Sequence, residues 1–587
     1  MKKTISILLS AMLLVITALP AAATGCGCGK TPLVLVSGMN TYPLVADKGT
    51  ADERQVFPPA IDIPSVALKG TAGAAAAAVC LDWNKFGDVL IPVAYELLEP
   101  VAFNADGTSK HNVTTATFPE SLAAYPEFAS GSGGNEFGML HTAIDKLGAD
   151  HVYFFNYDWR EDPVKNAADL NAMIKKAKAE TGHGKVDVAA CSLGGAQLMA
   201  YLHDYGTDDL ESVVFLSPVL SGIYISSECM TGGIEVDKDS LIRYLDHNLK
   251  SADGGKGAVS VIIETLDFLG VLDPVVNLAN NGIDALYQRL SDELVKEVFC
   301  TMPGIWATLR ADAYETAKQN LLDETANARL IEKIDYFHYN VRLRTKEILE
   351  DAMRKGVTVS ICSHYNSPAI PIFESSYQHG DGVLDTYCTS GGAYSVPYGE
   401  TLPEGYVQQN DDGGKNRLSP DNIIDASTCL FPGNVWFFKN IRHVGCPYGS
   451  EYNEFVFRLL ESQTQPLAGS SAYPQFMATD DGGQTLYPLS QTAAAQAAGV
   501  DRSGDIQGAP EDSEEPETVP ATAAAASPDA TAQAGMAEEN ADETGNDAGL
   551  PASVPSTGGI SPALPVFLLA VSAVLTPCLL RRKAKTG

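Results

Sequence analysis

Residues 186–205 constrain the fold more than any other stretch. Val186, Val188, Ala189 and Ala190 make a short, nearly continuous apolar run, the pattern of a strand buried on both faces. A tight turn follows, Cys191-Ser192-Leu193-Gly194-Gly195, and then Ala196, Leu198, Met199, Leu202 and Tyr205 at helical spacing. A strand, a sharp turn with serine at its apex and a helix make the setting of a nucleophile elbow. The bland alternative is an ordinary serine in a Gly-rich turn. Ala190 stands at the first position of the Gly-x-Ser-x-Gly pattern, where a small side chain lets strand and helix approach, and alanine is small enough. The turn is expected to hold Ser192 at strained φ/ψ and to aim it at the positive end of the helix dipole, which favours a developing oxyanion. Cys191 is a rival nucleophile by chemistry, but its place in the turn directs it toward packing.

Further apolar runs at residues 31–37, 152–155, 213–217, 357–361 and 435–438 extend the reading. Strands separated by helical stretches predict the α/β class, with a mostly parallel central sheet. About 140 residues between 217 and 357 read as helical, so a helical cap is expected at about 220–355.

A serine hydroxyl needs a base, and the base needs an orienting acid. On an elbow of this type the chain order is serine, acid, histidine. After the run at 357–361 the next acidic turn is His379-Gly380-Asp381-Gly382-Val383-Leu384-Asp385. Asp381, between two glycines at a loop apex, is the expected acid, and Asp385 is its rival. Downstream only His443 remains, placed after the run at 435–438 and before an amphipathic helix near Phe455. Ser192, Asp381 and His443 are therefore the expected triad. The oxyanion donors are expected to be the backbone N–H groups of Leu193 and of Met39, which follows Gly38 after the first strand.

The ends of the chain speak to location. Met1-Lys2-Lys3, an apolar run from Ile5 to Leu19, and Ala21-Ala22-Ala23 read as a secretory signal peptide over residues 1–23. Cys26 after Ala23-Thr24-Gly25 loosely resembles a lipoprotein box, a second reading. At the other end, Val554-Pro555-Ser556-Thr557-Gly558 precedes an apolar span from Ile560 to Leu580 and a basic cluster, Arg581-Arg582-Lys583. The pentapeptide resembles the sortase sorting signal Leu-Pro-x-Thr-Gly, with Val554 replacing leucine. That resemblance implies cleavage between Thr557 and Gly558 and attachment to cell-wall peptidoglycan. A plain membrane anchor is the alternative for residues 554–587.

Residues 24–465 are expected to form the catalytic domain. Residues 466–553 are expected to be a disordered linker, its bias toward Ala, Pro, Thr and acids clearest from about residue 491. Much of the net charge of −33 sits there: residues 501–550 hold thirteen acids and one base, a net −12. The rest is acidic too, which excludes nucleic acid as a partner because phosphate binding needs a positive surface. Of the eleven cysteines Cys578 lies in the C-terminal tail, and the other ten permit disulfides in an exported chain, without fixing connectivity. Cys26 and Cys28 are too isolated to read as a zinc site, and Gly25–Thr31 fails as a P-loop because it precedes a strand. No cofactor and no metal are expected.

Three places carry a family resemblance: Leu33-Val34-Leu35-Val36-Ser37-Gly38, Tyr157-Asp158-Trp159-Arg160 some thirty residues before the elbow, and Gly380-Asp381-Gly382-Val383 followed by His443. Over residues 31–465 the chain is similar to the lecithin:cholesterol acyltransferase family of lipases and acyltransferases, with the middle weakly matched. Ala190, Ser37 and Leu384 depart from that family's usual residues. The resemblance implies an α/β-hydrolase fold and a lipid or other ester as substrate, with water or an alcohol as acyl acceptor. The apolar stretch at 259–271 would then line an acyl pocket or face lipid, or else pack within the cap. An esterase or peptidase on other substrates, and an inactive surface binding module, are the alternatives.

Overall fold

The computed structural model describes residues 28–60, 82–128, 138–252, 270, 272–443 and 448–490. The apolar runs become strands β1 (Leu33–Val36), β2 (Val152–Phe155), β3 (Val186–Cys191), β4 (Leu210–Leu216), β5 (Thr358–Tyr365) and β6 (Val435–Lys439). Two short strands, β7 (Phe476–Ala478) and β8 (Tyr487–Pro488), complete one eight-stranded sheet in the order β8-β7-β6-β5-β4-β3-β1-β2. Every neighbouring pair is parallel except β7 and β8 at the edge.

Side chains alternate across such strands, so each strand feeds two cores. Val34, Val36, Val188, Val213, Val359 and Phe437 lie in one, together with residues of helices α2 (Pro163–Thr181), α3 (Gly194–Tyr205) and α4 (Thr345–Arg354). Leu33, Leu35, Ala189, Val214, Cys362 and Phe438 lie in the other, with α1 (Gly138–Leu147) and α5 (Glu451–Leu460). The continuous apolar character of the strands follows from this double burial. This is an α/β fold, a mostly parallel sheet between two layers of helices.

The connection leaving β1 runs to β2 at the edge, whereas the one leaving β3 runs to β4 on the opposite side. A crevice therefore opens between the C-terminal ends of β1 and β3, the switch point where ligands bind in open α/β sheets. The loops that border it hold Gly38 and Met39 on one side and Ser192 and Leu193 on the other.

The insertion between β4 and β5 is helical, with helices at Tyr224–Thr231, Lys238–Ala252, Leu272–Leu290, Ala311–Leu321 and Ala328–Tyr336. Met230, Trp306, Leu309, Tyr314, Leu321, Leu330 and Ile334 give it a core of its own. The apolar stretch at 259–271 lies outside the described residues except for Gly270.

The expected boundary at residue 465 falls short. β7 pairs with β6 and β8 with β7, so the folded domain runs on to residue 490. Strands of three and two residues are too short to show a period. The signal peptide at 1–23, the linker from 491 and the sorting signal with Thr557 and Gly558 lie outside the described residues. Among the described residues, no helix is long and apolar enough to cross a membrane. Six described cysteines are unpaired thiols: Cys191, Cys229, Cys300, Cys362, Cys388 and Cys429.

The Tyr157–Arg160 motif stabilises the loop after β2. Arg160 is fully buried, and its Nη2 and Nε donate to the Asp158 carboxylate at 2.6 and 2.9 Å. Its Nη1 and Nη2 also donate to the carbonyls of Val101 and Val113 at 3.1 and 3.2 Å. The motif thus ties the loop to a distant segment and stays out of the crevice. Burying the guanidinium is tolerable because its charge is paired and its donors are used.

Candidate active site

Ser192 sits at the tip of β3 with φ of 55°, one of the few non-glycine residues in the left-handed region. Such strain persists where surrounding bonds overdetermine it. The Ser192 N–H donates to Leu216 O at 3.0 Å, and the Ser192 carbonyl accepts from Gly195 and Val219 at 3.0 and 2.8 Å. The small residues of the turn are needed sterically. A Cβ on Gly194 would fall 2.6 Å from Ser37 O and 2.9 Å from Val36 O, and one on Gly195 would fall 2.7 Å from Pro218 Cβ.

His443 arrives from the loop after β6. Its Nε2 lies 2.9 Å from Ser192 Oγ and its Nδ1 lies 2.7 Å from Asp381 Oδ2. The structure thus brings together three side chains that are 62 and 251 positions from one another. The His443 N–H donates to Asp381 O at 2.9 Å, so backbone as well as side chain joins the two loops.

Asp381 is buried, and its carboxylate is fully engaged. Oδ1 accepts from the Val383 and Leu384 amides at 2.9 and 2.7 Å. Oδ2 accepts from His443 and from the Ser217 hydroxyl. Burial alone would raise its pKa, but His443 and these hydrogen bonds outweigh it and hold the carboxyl below its ordinary value. Burial also opposes charging of His443, yet the Asp381 charge and hydrogen bond raise the imidazole pKa above 6.5. Each partner favours the charged form of the other.

Asp385 does different work. It caps the short helix Thr386–Thr389, accepting from the Cys388 N–H at 2.7 Å, and also accepts from the Tyr224 N–H at 3.2 Å. Burial, its largest influence, raises its pKa. Cys191 packs in part against the second core and also borders the crevice, and desolvation pushes its thiol up to about 12, which disfavours the thiolate a nucleophile requires. His364 borders the crevice, but its Nε2 is hydrogen-bonded to the Tyr452 hydroxyl at 2.8 Å, and burial lowers its pKa to about 4. His379 is buried and stacks on Tyr398.

The crevice has a volume of about 190 Å³ and is lined by Leu35, Met39, Met139, Phe154 and Leu216 around Ser192 and His443. Among the described residues, none from 220–355 lines it. The Met39 and Leu193 amides flank the serine, and among the described residues neither donates a hydrogen bond. A Cβ on Gly38 would come within 3.1 Å of Ser192 Cβ, so the β1 loop passes very close to the serine. Ser217 is the one residue of this arrangement that sequence reasoning missed. Its φ of 41° turns the chain at the end of β4 and delivers its hydroxyl to Asp381. A Ser-Pro pair at a strand end carries too little signal to reveal this.

No family model matches the chain, and no curated protein does. Among solved structures the chain is similar to one in "The crystal structure of Tle4-Tli4 complex". That match has 10% identity and a TM-score of 0.25, and covers 57% of this chain and 75% of that one.

Proposed function

We propose that the protein is a serine hydrolase of carboxylic esters, with Ser192 as nucleophile, His443 as general base and Asp381 as the acid that orients it. The observation that carries this reading is the continuous chain from Ser192 Oγ through His443 to Asp381, at 2.9 and 2.7 Å, on a strained elbow at the sheet's switch point. His443 Nε2 takes the hydroxyl proton as Oγ attacks the ester carbonyl, and Asp381 stabilises the imidazolium that forms. The uncommitted amides of Met39 and Leu193 receive the oxyanion. His443 then protonates the leaving alkoxide, and water or a second alcohol releases the acyl group by the reverse sequence.

The apolar walls of Leu35, Met139, Phe154 and Leu216 favour a hydrocarbon acyl chain. With the acyltransferase-family resemblance, this supports a lipase or O-acyltransferase on lipid esters. The sequence ends support a location outside the cell, with Thr557 linked to the wall by a sortase. Labelling with a serine-directed phosphonate, followed by a panel of p-nitrophenyl esters of graded chain length, tests the proposal. The expected result is one label on Ser192 and ester turnover that rises with acyl length. A chain that takes no label and cleaves no ester is a binding module instead.

A further inference from the structure

The face of the sheet that packs on α1 and α5 carries a polar island. Asp187 on β3 lies in register with Ser212 on β4, and Ser212 with Thr358 on β5, so the three side chains stand side by side. Ser360, two residues on, falls on the same face, level with Val214. All four are buried, Asp187 and Thr358 at 7% exposure and the two serines at 1%. Asp187 Oδ1 and the three hydroxyl oxygens have no hydrogen-bond partner among the described residues. Leu33, Ala189, Val214, Leu459 and Leu460 belong to the core on this face.

A carboxylate is costly in such a place. A neutral acid brings an unpaired polar group into the core, whereas the ionised form brings an unpaired charge, and buried acids of this kind hold their proton instead. The charged groups that face Asp187 come from two other elements, Glu211 on β4 and Glu461 just after α5, and both repel a further negative charge. Lys185, two residues before Asp187, is committed to Glu211 at 3.4 Å. The Ser212 N–H alone favours the charged form. Burial first, then the two acids, hold the Asp187 carboxyl well above its ordinary value.

We propose that this island is a proton-dependent latch: Asp187 is neutral while the domain is closed, and loss of its proton to solvent at alkaline pH opens the first residues of β3, β4 and β5 beneath the C-terminal end of α5. The folded chain keeps a proton that the unfolded chain releases at about pH 4. Stability from this group is therefore complete below that pH and declines as pH rises, until the folded carboxyl itself ionises and the loss levels off. β3 ends in the elbow that carries Ser192. The latch thus sets an alkaline limit on a competent active site, a consequence that rests on the hydrolase reading although the latch itself does not.

The test compares the full chain with its Asp187→Asn variant, which keeps the size of the side chain and removes its ionisation. Hydrogen exchange with peptide mapping, corrected for the intrinsic pH dependence of exchange, reads opening of residues 186–190, 210–214 and 358–361 from pH 5 to pH 10. Opening of these segments in the wild type should rise relative to the variant by up to about tenfold per pH unit, the limit for one proton, and then level off. Residues 311–336, in the separate core of the insertion, should show no such difference. Glu461→Gln removes one repelling charge at an exposed position, so it folds even where Asp187→Asn does not, and it should lower the opening at pH 10 by about twofold or more. Equal slopes in wild type and Asp187→Asn, or opening in Glu461→Gln that matches the wild type throughout, would overturn the latch and leave the four side chains as passive members of the core. Phosphonate labelling at pH 7 is read on the same samples: a chain that takes no label sinks the hydrolase reading, while the exchange slopes still decide the latch.

Discussion

In an Asp381→Asn variant one carboxylate oxygen becomes an NH₂ group, which must face one of two sets of partners. If the amide oxygen keeps the Val383 and Leu384 N–H bonds, the NH₂ faces His443 Nδ1 and the Ser217 hydroxyl. His443 Nδ1 must then accept, the ring proton moves to Nε2, and Nε2 no longer takes the proton of Ser192. If the side chain flips, the NH₂ meets two backbone N–H donors, and two buried hydrogen bonds are lost at about 1–3 kcal/mol each. The first orientation is therefore favoured, and it carries the wrong tautomer. For triads of this type that costs about 10⁴ in kcat, equivalent to about 5.5 kcal/mol of transition-state stabilisation at 1.36 kcal/mol per tenfold. The assay is kcat on a p-nitrophenyl ester for the wild type, Asp381→Asn and Asp385→Asn, with circular dichroism to confirm folding. Asp385→Asn keeps an oxygen for the Cys388 amide but leaves the Tyr224 amide without its acceptor, so its kcat should fall less than about tenfold while stability drops by about 1–3 kcal/mol, the scale of a lost buried hydrogen bond. A loss of less than tenfold in Asp381→Asn, or a larger loss in Asp385→Asn, would refute the reasoning.

Ser192→Ala should abolish phosphonate labelling and lower kcat by about 10⁶, the scale for removing a triad nucleophile; residual activity above a few per cent would exclude Ser192. Ser217→Ala removes a hydrogen bond to a charged, buried carboxylate, so kcat should fall by about 10- to 100-fold with KM nearly unchanged; an unchanged kcat would leave Ser217 a structural residue. Because His443 acts only when neutral and its pKa is raised above 6.5, kcat/KM should increase with pH through an apparent pKa above that value. In Asp381→Asn the same limb should move to lower pH, since the carboxylate that raises the pKa is gone.

The central strands were legible because double burial writes continuous apolar runs, and residues 152–155 match β2 residue for residue. Ser192 was legible because an elbow needs a strand, a small-residue turn and a helix in immediate succession. Asp381 and His443 were legible by order along the chain, although only the fold separates Asp381 from Asp385. In both the side chain is buried and accepts backbone amides, and the difference lies in which one also meets an imidazole. What sequence could not carry was pairing without periodicity. β7 and β8 are too brief to alternate, Ser217 acts through a single hydroxyl, and Asp187, Ser212 and Thr358 align only because parallel pairing sets β3, β4 and β5 in register.

The six unpaired thiols make the domain its own clock for opening. Desolvation raises all of them, Cys229 to about 11 and Cys191 and Cys429 to about 12, with Cys300, Cys362 and Cys388 also shifted upward. In the closed state all six are therefore almost wholly protonated, and for the four buried ones, Cys300, Cys362, Cys388 and Cys429, an added electrophile waits for a fluctuation that exposes them. The six are distributed so that each dates a different event. Cys191 reports the elbow, Cys362 the middle of the sheet, Cys388 and Cys429 the loops that follow the acid, and Cys229 and Cys300 the separate core of the insertion. Alkylation followed by peptide mapping would thus rank these regions by how often they breathe, without placing a single probe.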